Sequence, residues 1–197
     1  MDPLQTSVVV YEPKFIPENQ CNKLFFHFFD LDFEKAHLTR SVIWFGPVSY
    51  TYGSGPNTTN LMQRPLESDE FIVYLCNKLG RHLNSTFNSC LVNLYENETQ
   101  TVPRHSDDES MFGVDPVIAS LSFGATRRFV VESKCSRALN VEQHLKSVKS
   151  RYVFPLGDGD LLVMKGSMQR FWNHSKPAES FKCGPRINLT FRNVVNV

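Results

Sequence analysis

The stretch that decides the fold is Pro185-Arg186-Ile187-Asn188-Leu189-Thr190-Phe191-Arg192. Side chains alternate between the two faces of a β-strand, so this stretch has one apolar and one polar face. The apolar face carries Ile187, Leu189 and Phe191, and the polar face carries Arg186, Asn188, Thr190 and Arg192. A guanidinium binds a carboxylate through two parallel hydrogen bonds. Two Arg side chains on one strand face therefore suit a dicarboxylate ligand. The stretch therefore predicts a strand between a hydrophobic core and an anion-binding pocket.

Two of the six His residues have neighbours that suggest a metal site. His105 and Asp107 are two residues apart, and in an extended chain their side chains leave the same face. His174 follows the predicted strand at 160–164 by ten residues. Two imidazoles and one carboxylate are the protein ligands of a non-haem Fe(II) site that leaves positions open. A surface His-Asp pair with a separately packed His is the alternative for these three residues alone.

The stretch Val92-Asn93-Leu94-Tyr95 repeats the two-faced pattern, with Asn93 and Tyr95 sharing one face. A polar strand face can also belong to an edge strand that meets solvent. Two Arg, two Asn, a Thr and a Tyr together with a candidate metal triad favour a dicarboxylate pocket instead.

Short runs of strand composition between Gly- and Pro-containing turns fill most of the remaining chain. A helix is predicted from Pro17-Glu18, and a second from Ser68 as N-cap, each with apolar residues at helical spacing. Nine strands are predicted at Ser7–Glu12, Ser41–Phe45, Val48–Tyr52, Cys90–Tyr95, Val117–Phe123, Arg127–Glu132, Arg151–Pro155, Asp160–Met164 and Ile187–Val195. We therefore predict an α+β, mainly β fold, a sandwich or small barrel with the helices packed on one side.

Composition and charge exclude several classes of protein. With 197 residues, 41% hydrophobic and 21% charged, the chain has the composition of one globular domain. We expect no membrane span and no secretory signal, and five scattered Cys suggest free thiols inside a cell, in the nucleus or the cytoplasm. The net charge of +1 excludes a polybasic nucleic-acid binder, although residues 1–100 sum to −4 and residues 101–197 to +5. An anionic partner would therefore meet the second half, unless these charges only face solvent.

Several stretches, taken in order, resemble the AlkB family of Fe(II)- and 2-oxoglutarate-dependent dioxygenases, and within it the nucleic-acid repair branch. They are Val92–Tyr95, His105–Glu109, Ile118–Phe129, Gly159–Met164, Trp172–Ser175 and Pro185–Arg192. The resemblance implies a single domain over 1–197, with an N-terminal helix and substrate-lid region at 1–65. It also implies a double-stranded β-helix, or jelly-roll, core at 90–195, with the N-terminal helices packed on one sheet.

The resemblance also implies the cofactors and the residues that hold them. Fe(II) would be held by His105, Asp107 and His174, with 2-oxoglutarate and O2 as cosubstrates. Arg186 would bind the far carboxylate of 2-oxoglutarate and count with the metal ligands as catalytic machinery. The remaining cosubstrate residues would be Asn93, Tyr95, Asn188, Thr190 and Arg192. The reaction would decarboxylate 2-oxoglutarate, hydroxylate an N-methyl group and release formaldehyde, reversing alkylation damage directly.

For the substrate, the resemblance implies a methylated base in DNA or RNA that is taken out of its stack. Tyr52 would stack on the base opposite the ring of His105, and Tyr50 and Glu109 would contact its edge. A carboxylate suits 1-methyladenine and 3-methylcytosine, because both are cationic when protonated. Arg127 and Arg128, with Lys134, Arg137, Lys146, Lys149 and Arg151, could contact phosphates. The alternative for the two Tyr is ordinary strand aromatics, and for the cations a solvated surface.

The substrate lid departs from the duplex-repairing members of the family. Arg40 can be matched to their Pro-Arg segment, but Thr39 replaces the Pro, and acids at Asp30, Asp32 and Glu34 would repel phosphates. We therefore expect single-stranded or loosely paired substrates. We also expect the protein to be a monomer. A protein or small-molecule hydroxylase of the same superfamily and a catalytically silent nucleic-acid-binding module are the alternatives.

Overall fold

The computed structural model describes residues 6–33, 39–52, 58–134 and 150–195. Within these residues the helices are α1 (Glu18–Phe29), α2 (Glu70–Leu83) and the single-turn α3 (Met168–Phe171). The strands are β1 (Val8–Glu12), β2 (Ser41–Phe45), β3 (Tyr50–Tyr52), β4 (Thr59–Leu61), β5 (Gln63–Arg64), β6 (Ser89–Tyr95), β7 (Val102–His105), β8 (Ile118–Gly124), β9 (Arg127–Ser133), β10 (Arg151–Leu156), β11 (Leu161–Lys165), β12 (Trp172–Lys176) and β13 (Arg186–Arg192). None of the helices in these ranges combines the length and the apolar character needed to cross a membrane.

The strands form a large and a small sheet plus a separate β3–β4 pair. The large sheet has seven strands in the order β1-β11-β8-β13-β6-β2-β5, and the small sheet has four in the order β10-β9-β12-β7. Except for the parallel β2–β5 pair, neighbouring strands run antiparallel. The strand β13 lies between β8 and β6, and its Asn188 is level with Ser122 on β8 and Asn93 on β6. This register lays a row of polar side chains across the middle of the large sheet.

The two faces of the large sheet bury different groups. Helices α1 and α2 pack on one face through Leu24, Phe28, Leu75 and Leu79, which join the apolar side of β13 in the largest core cluster. The opposite face meets the small sheet in a second cluster: Ile118, Val131, Leu156, Leu162, Met164 and Met168. The α+β, mainly β class with helices on one sheet is confirmed, because the alternation of β13 separates the two sides of the sheet as predicted.

The second helix begins one residue later than predicted. Asp69 is the N-cap of α2, because its side chain accepts hydrogen bonds from the backbone N–H groups of Phe71 and Ile72. Ser68 instead ends a 3-10 turn, and its hydroxyl donates to the Pro65 carbonyl. In α1, Pro17 occupies the N-cap position and Glu18 is the first helical residue. The fixed φ of Pro suits either position at the start of a helix.

Four strands are absent from the prediction: β4, β5, β7 and β12. Strand β12 reads Trp-Asn-His-Ser-Lys and β7 reads Val-Pro-Arg-His, so neither shows an apolar face. The inward face of β12 carries polar residues because it lines a pocket, and the usual alternation of apolar and polar residues is lost. The predicted strand at Val48–Tyr52 is shorter and begins at Tyr50.

Candidate metal and cosubstrate site

The structure brings His105, Asp107 and His174 together between the two sheets. His105 is the last residue of β7 and His174 is the middle residue of β12. The two residues are directly opposite each other in the antiparallel β7–β12 pair. Their imidazole centres are 4.2 Å apart. Asp107 follows β7 by two residues, and one ligand atom from each of the three residues lies within 4.8 Å of the others. The antiparallel pairing of β7 with β12 therefore makes neighbours of two His residues that are far apart in sequence.

Hydrogen bonds from outside the triad hold two of its members in position. The Nδ1 of His105 lies 2.9 Å from the Pro103 carbonyl oxygen, so a proton on Nδ1 leaves the Nε2 lone pair facing the triad. The backbone N–H of Asp107 donates to the buried side-chain oxygen of Gln169 at 3.0 Å. The ring of His174 stacks on Phe129, with centroids 5.4 Å apart.

The electrostatics keep two of the three ligands in the form that binds a metal. Burial alone would raise the pKa of Asp107, but the Arg192 guanidinium acts together with His105 and His174 to hold that pKa well below its usual range. Arg192 donates from Nη2 and Nε to Asp107 Oδ2, at 2.8 and 3.1 Å. Burial, and then the neighbouring His105, lower the pKa of His174 to about 3. A carboxylate and a neutral imidazole at neutral pH are metal ligands without prior loss of a proton.

Buried polar atoms without a hydrogen-bond partner fit a metal ion and an anionic ligand. Among the described residues they include Asp107 Oδ1, Arg186 Nε and Arg192 Nη1. The Asp107 Oδ1 lies 3.5 Å from His105 Nε2, beyond ordinary hydrogen-bond length. Leaving such groups buried and unsatisfied is costly, so their presence around the triad and the neighbouring pocket fits bound groups that would use them. Two imidazole nitrogens and one carboxylate match the ligand set of non-haem Fe(II).

A pocket next to the triad is lined by all six residues predicted to bind the cosubstrate. They are Asn93, Tyr95, Arg186, Asn188, Thr190 and Arg192. Arg186 is buried, donates from Nη2 to Ser122 Oγ at 2.9 Å and lies over the Tyr95 ring at 5.3 Å. Asn188 donates to Ser120 Oγ at 2.7 Å. The polar face of β13 is therefore a pocket wall supported by its neighbouring strands.

The place of Arg192 in this pocket differs from the expectation. Two of its nitrogens bind Asp107, so the residue is first of all the partner of a triad carboxylate. Its Nη1 is the guanidinium nitrogen left without a partner. Arg192 and Asp107 are 85 positions apart, so sequence spacing carries no sign of this pair.

Sequence reasoning missed Lys176, Gln169 and Phe129. Lys176 is two residues beyond His174 on β12, so both side chains point into the pocket, and it lies among the pocket-lining residues. Recognition of β12 as a strand would have found it. No pattern in the sequence marks Gln169, which follows the buried Met168 in the short helix α3.

The substrate expectation for Tyr50 requires a correction. Its side chain is fully buried between Trp44 and Phe112, with ring centroids 4.7 and 5.8 Å away, and so it is a core residue. Its hydroxyl donates to Glu109 Oε1 at 2.8 Å, and burial is the main reason why its pKa is raised well above the usual value. Glu109 Oε2 is buried without a hydrogen-bond partner. Tyr50 therefore positions Glu109, and the side chain of Tyr52 lies outside what the structure describes.

Both Arg residues expected to meet the substrate are buried. Arg127 is 1% exposed and donates to the carbonyls of Gly184 and Thr126, so its guanidinium lies in the interior and not at the surface that the phosphate expectation requires. Arg40 is 4% exposed, donates from Nε to Asn93 Oδ1 at 2.6 Å and lines the cosubstrate pocket rather than an outer lid. In each case the guanidinium satisfies interior oxygens, as a buried cation must.

The other proposed phosphate contacts already have protein partners or are not described. Arg128 pairs with Glu179, Arg151 with Glu132, and Lys134 donates to the Gln169 carbonyl at 2.7 Å. Arg137, Lys146 and Lys149, and Glu34 of the lid, lie outside the described residues.

Comparison with known proteins agrees with this geometry. Residues 34–192 match the family model of the 2OG-Fe(II) oxygenase superfamily. The chain is 39% identical over 165 residues to the alpha-ketoglutarate-dependent dioxygenase alkB homolog 3 of Homo sapiens, covering 84% of this chain and 54% of that protein. It is 40% identical over 122 residues to the DNA oxidative demethylase ALKBH2 of Arabidopsis thaliana, covering 56% and 39%. The chain thus spans about half the length of the curated relatives it matches, or less.

A solved structure of OsALKBH1 shares the fold, with a TM-score of 0.58, 17% identity, and coverage of 94% of this chain and 96% of that one. The predicted jelly-roll core is thereby confirmed, as is the resemblance to AlkB proteins. On the match of its residues 34–192, the chain belongs to the 2OG-Fe(II) oxygenase superfamily.

Proposed function

We propose that this protein removes N-methyl groups oxidatively from bases of DNA or RNA, using Fe(II), 2-oxoglutarate and O2. The observation that carries the proposal is the triad of His105, Asp107 and His174 beside a buried pocket lined by Arg186. The similarity to an AlkB homolog and to a DNA oxidative demethylase supports the choice of substrate class.

Each residue of the site would have a separate role in binding the metal or the cosubstrate. When bound, Fe(II) with 2-oxoglutarate and O2 supplies the oxidising power that hydroxylates an N-methyl group, whose product loses formaldehyde. His105, Asp107 and His174 would hold the metal, and the Nδ1 bond of His105 to Pro103 keeps its ligand nitrogen oriented. Arg186 would bind the far carboxylate of 2-oxoglutarate, which orients the keto acid toward the triad.

The acidic group near the triad supports a cationic base as substrate. The buried Oε2 of Glu109 has no hydrogen-bond partner, while its Oε1 is fixed by the Tyr50 hydroxyl. A fixed carboxylate with a free oxygen suits the positive charge of 1-methyladenine or 3-methylcytosine. We propose Glu109 as the base-edge contact and Tyr50 as its support.

We propose further that the substrate is single-stranded or loosely paired and that the protein acts as a monomer. The acids Asp30 and Asp32 after α1 support the first point, because they would repel a second strand of phosphates. The free thiols Cys21, Cys76, Cys90 and Cys183 support a reducing compartment, the nucleus or the cytoplasm.

Formaldehyde release from methylated oligonucleotides tests the proposal. Protein loaded anaerobically with Fe(II) and 2-oxoglutarate receives O2 and oligonucleotides that carry 1-methyladenine or 3-methylcytosine. We expect formaldehyde and unmodified base from the wild type and none from Asp107→Ala, with full activity in Lys165→Ala, whose side chain is exposed on β11. Circular dichroism checks that the variants fold.

Three other results would contradict the proposal. Turnover of peptides but not of oligonucleotides would indicate the protein hydroxylase alternative. Binding of oligonucleotides without turnover would indicate a silent binding module. Unchanged turnover in Asp107→Ala would refute the metal assignment. Matched single- and double-stranded oligonucleotides test strand preference, and clearly faster duplex repair would refute that part.

A further inference from the structure

Lys176 is a buried lysine in the pocket next to the triad. It is the last residue of β12, on the small sheet, and faces the same way as His174. Its side chain lines the pocket opposite β13 of the large sheet, and the residue is only 3% exposed. A lysine is almost never buried to this extent unless a partner compensates its charge.

The Lys176 ammonium lies beside the same aromatic ring as Arg186. Its Nζ is 5.2 Å from the centre of the Tyr95 ring, and the Arg186 guanidinium is 5.3 Å from that centre. Tyr95 lies on β6, so residues of three strands from two sheets converge here. The pocket end away from the triad therefore carries two cations around one ring.

The described residues offer these two cations no carboxylate partner. No acidic oxygen among them lies within 4.0 Å of either cation, and Glu179 uses both of its oxygens on Arg128. Lys176 donates one hydrogen bond, to the Gln100 carbonyl at 2.6 Å. An ammonium has three donors, so two are left for another group.

A bound carboxylate satisfies both charges. Two buried cations without an anion are unfavourable, whereas a carboxylate between them restores the balance and accepts hydrogen bonds from both sides. We propose that Lys176 binds the far carboxylate of the cosubstrate together with Arg186 and makes the pocket selective for dicarboxylates. This inference rests on the proposed use of 2-oxoglutarate.

Two ligands that differ only in the far carboxylate test this role. The keto acid 2-oxopentanoate has the head group and chain length of 2-oxoglutarate, with a methyl group in place of the far carboxylate. Calorimetric titration of the Mn(II)-loaded protein without O2 measures both affinities and needs no turnover. We expect Lys176→Met to lower the affinity for 2-oxoglutarate at least about 10-fold, because one charged hydrogen bond to the ligand is lost. The affinity for 2-oxopentanoate should change less than about 2-fold, since no charged bond is lost.

Two further variants serve as controls. Lys176→Arg keeps the charge and should retain most of the affinity for 2-oxoglutarate. Lys165→Met removes an exposed lysine outside the pocket and should change neither affinity.

Three outcomes would overturn the inference. Unchanged 2-oxoglutarate affinity in Lys176→Met would show that Lys176 does not contact the ligand. An equal loss for both ligands would show that it only supports the pocket through Gln100. A wild type that binds neither ligand would instead refute the proposed function.

Discussion

The buried ion pair between Asp107 and Arg192 predicts a large energetic coupling in the metal-free protein. Both side chains are almost fully buried, and Arg192 donates two hydrogen bonds to one carboxylate oxygen. Removing one partner of such a pair leaves an uncompensated charge and costs about 3–5 kcal/mol of the free energy of unfolding. Removing both charges with similar volumes is often close to neutral. Arg192→Met and Asp107→Asn should therefore each destabilise strongly, while the double variant loses far less than their sum.

Urea unfolding in the presence of a chelator measures this coupling. The free energies of the wild type, the two single variants and the double variant form a double-mutant cycle. The Arg170–Asp115 pair, with a 2.6 Å contact and side chains 57% and 29% exposed, is the more solvent-exposed control within the same chain. The same cycle with Arg170→Met and Asp115→Asn should give less than about 1 kcal/mol, because solvent screens surface pairs.

The outcome that refutes this reasoning is additivity. If the losses of Arg192→Met and Asp107→Asn sum to that of the double variant within about 0.5 kcal/mol, the two groups do not interact in solution. A divalent metal offers a second check, because it would replace the missing charge next to Asp107. Saturating Mn(II) should therefore raise the unfolding free energy of Arg192→Met more than that of the wild type.

Three more predictions concern the support of the site and the core. Gln169→Leu leaves the buried backbone N–H of Asp107 without its acceptor and should cost about 1–3 kcal/mol in urea unfolding, with weaker Mn(II) binding; unchanged Mn(II) affinity would contradict the positioning role. Leu189→Ala, at the centre of β13 in the main core cluster, should cost about 2–5 kcal/mol, measured as a lower urea midpoint. Burial and the hydrogen bond to Asp160 raise the pKa of Tyr11 from 10.0 to about 12. Folding therefore favours the protonated phenol, so its stabilisation is complete below pH 10.0 and lost as the pH rises through about 12; Tyr11→Phe should remove this part of the alkaline stability loss, as seen by comparing unfolding curves.

The helices and strands predicted correctly were those in which apolar residues recur at regular helical or strand spacing. The two helices and the nine strands predicted from composition and turns all exist, most with ends shifted by a residue or two. Strands β7 and β12 escaped prediction because their inward faces bear the polar residues of the site. The same reason hid Lys176, which becomes visible only when β12 is known to be a strand.

The pairings within the site depended on sheet register and packing. The level position of His174 and His105 is a property of the β7–β12 pair, and the contact of Arg192 with Asp107 joins residues 85 positions apart. Burial also changed the interpretation of Arg127 and Tyr50. Both were expected to contact the substrate, because guanidinium and phenol groups are common on surfaces, but both side chains are buried.

The sequence by itself determined the two-faced strand β13, the types of residue at the site and the family to which they point. This was possible because strand alternation and ligand chemistry depend on neighbours along the chain. Tertiary structure alone decided which guanidinium faces Asp107, which one faces an open pocket, and that Lys176 joins Arg186 beside Tyr95. Strand register and the need to satisfy buried charge determine which residues pair across the two sheets. Neither can be inferred from the spacing of residues along the chain.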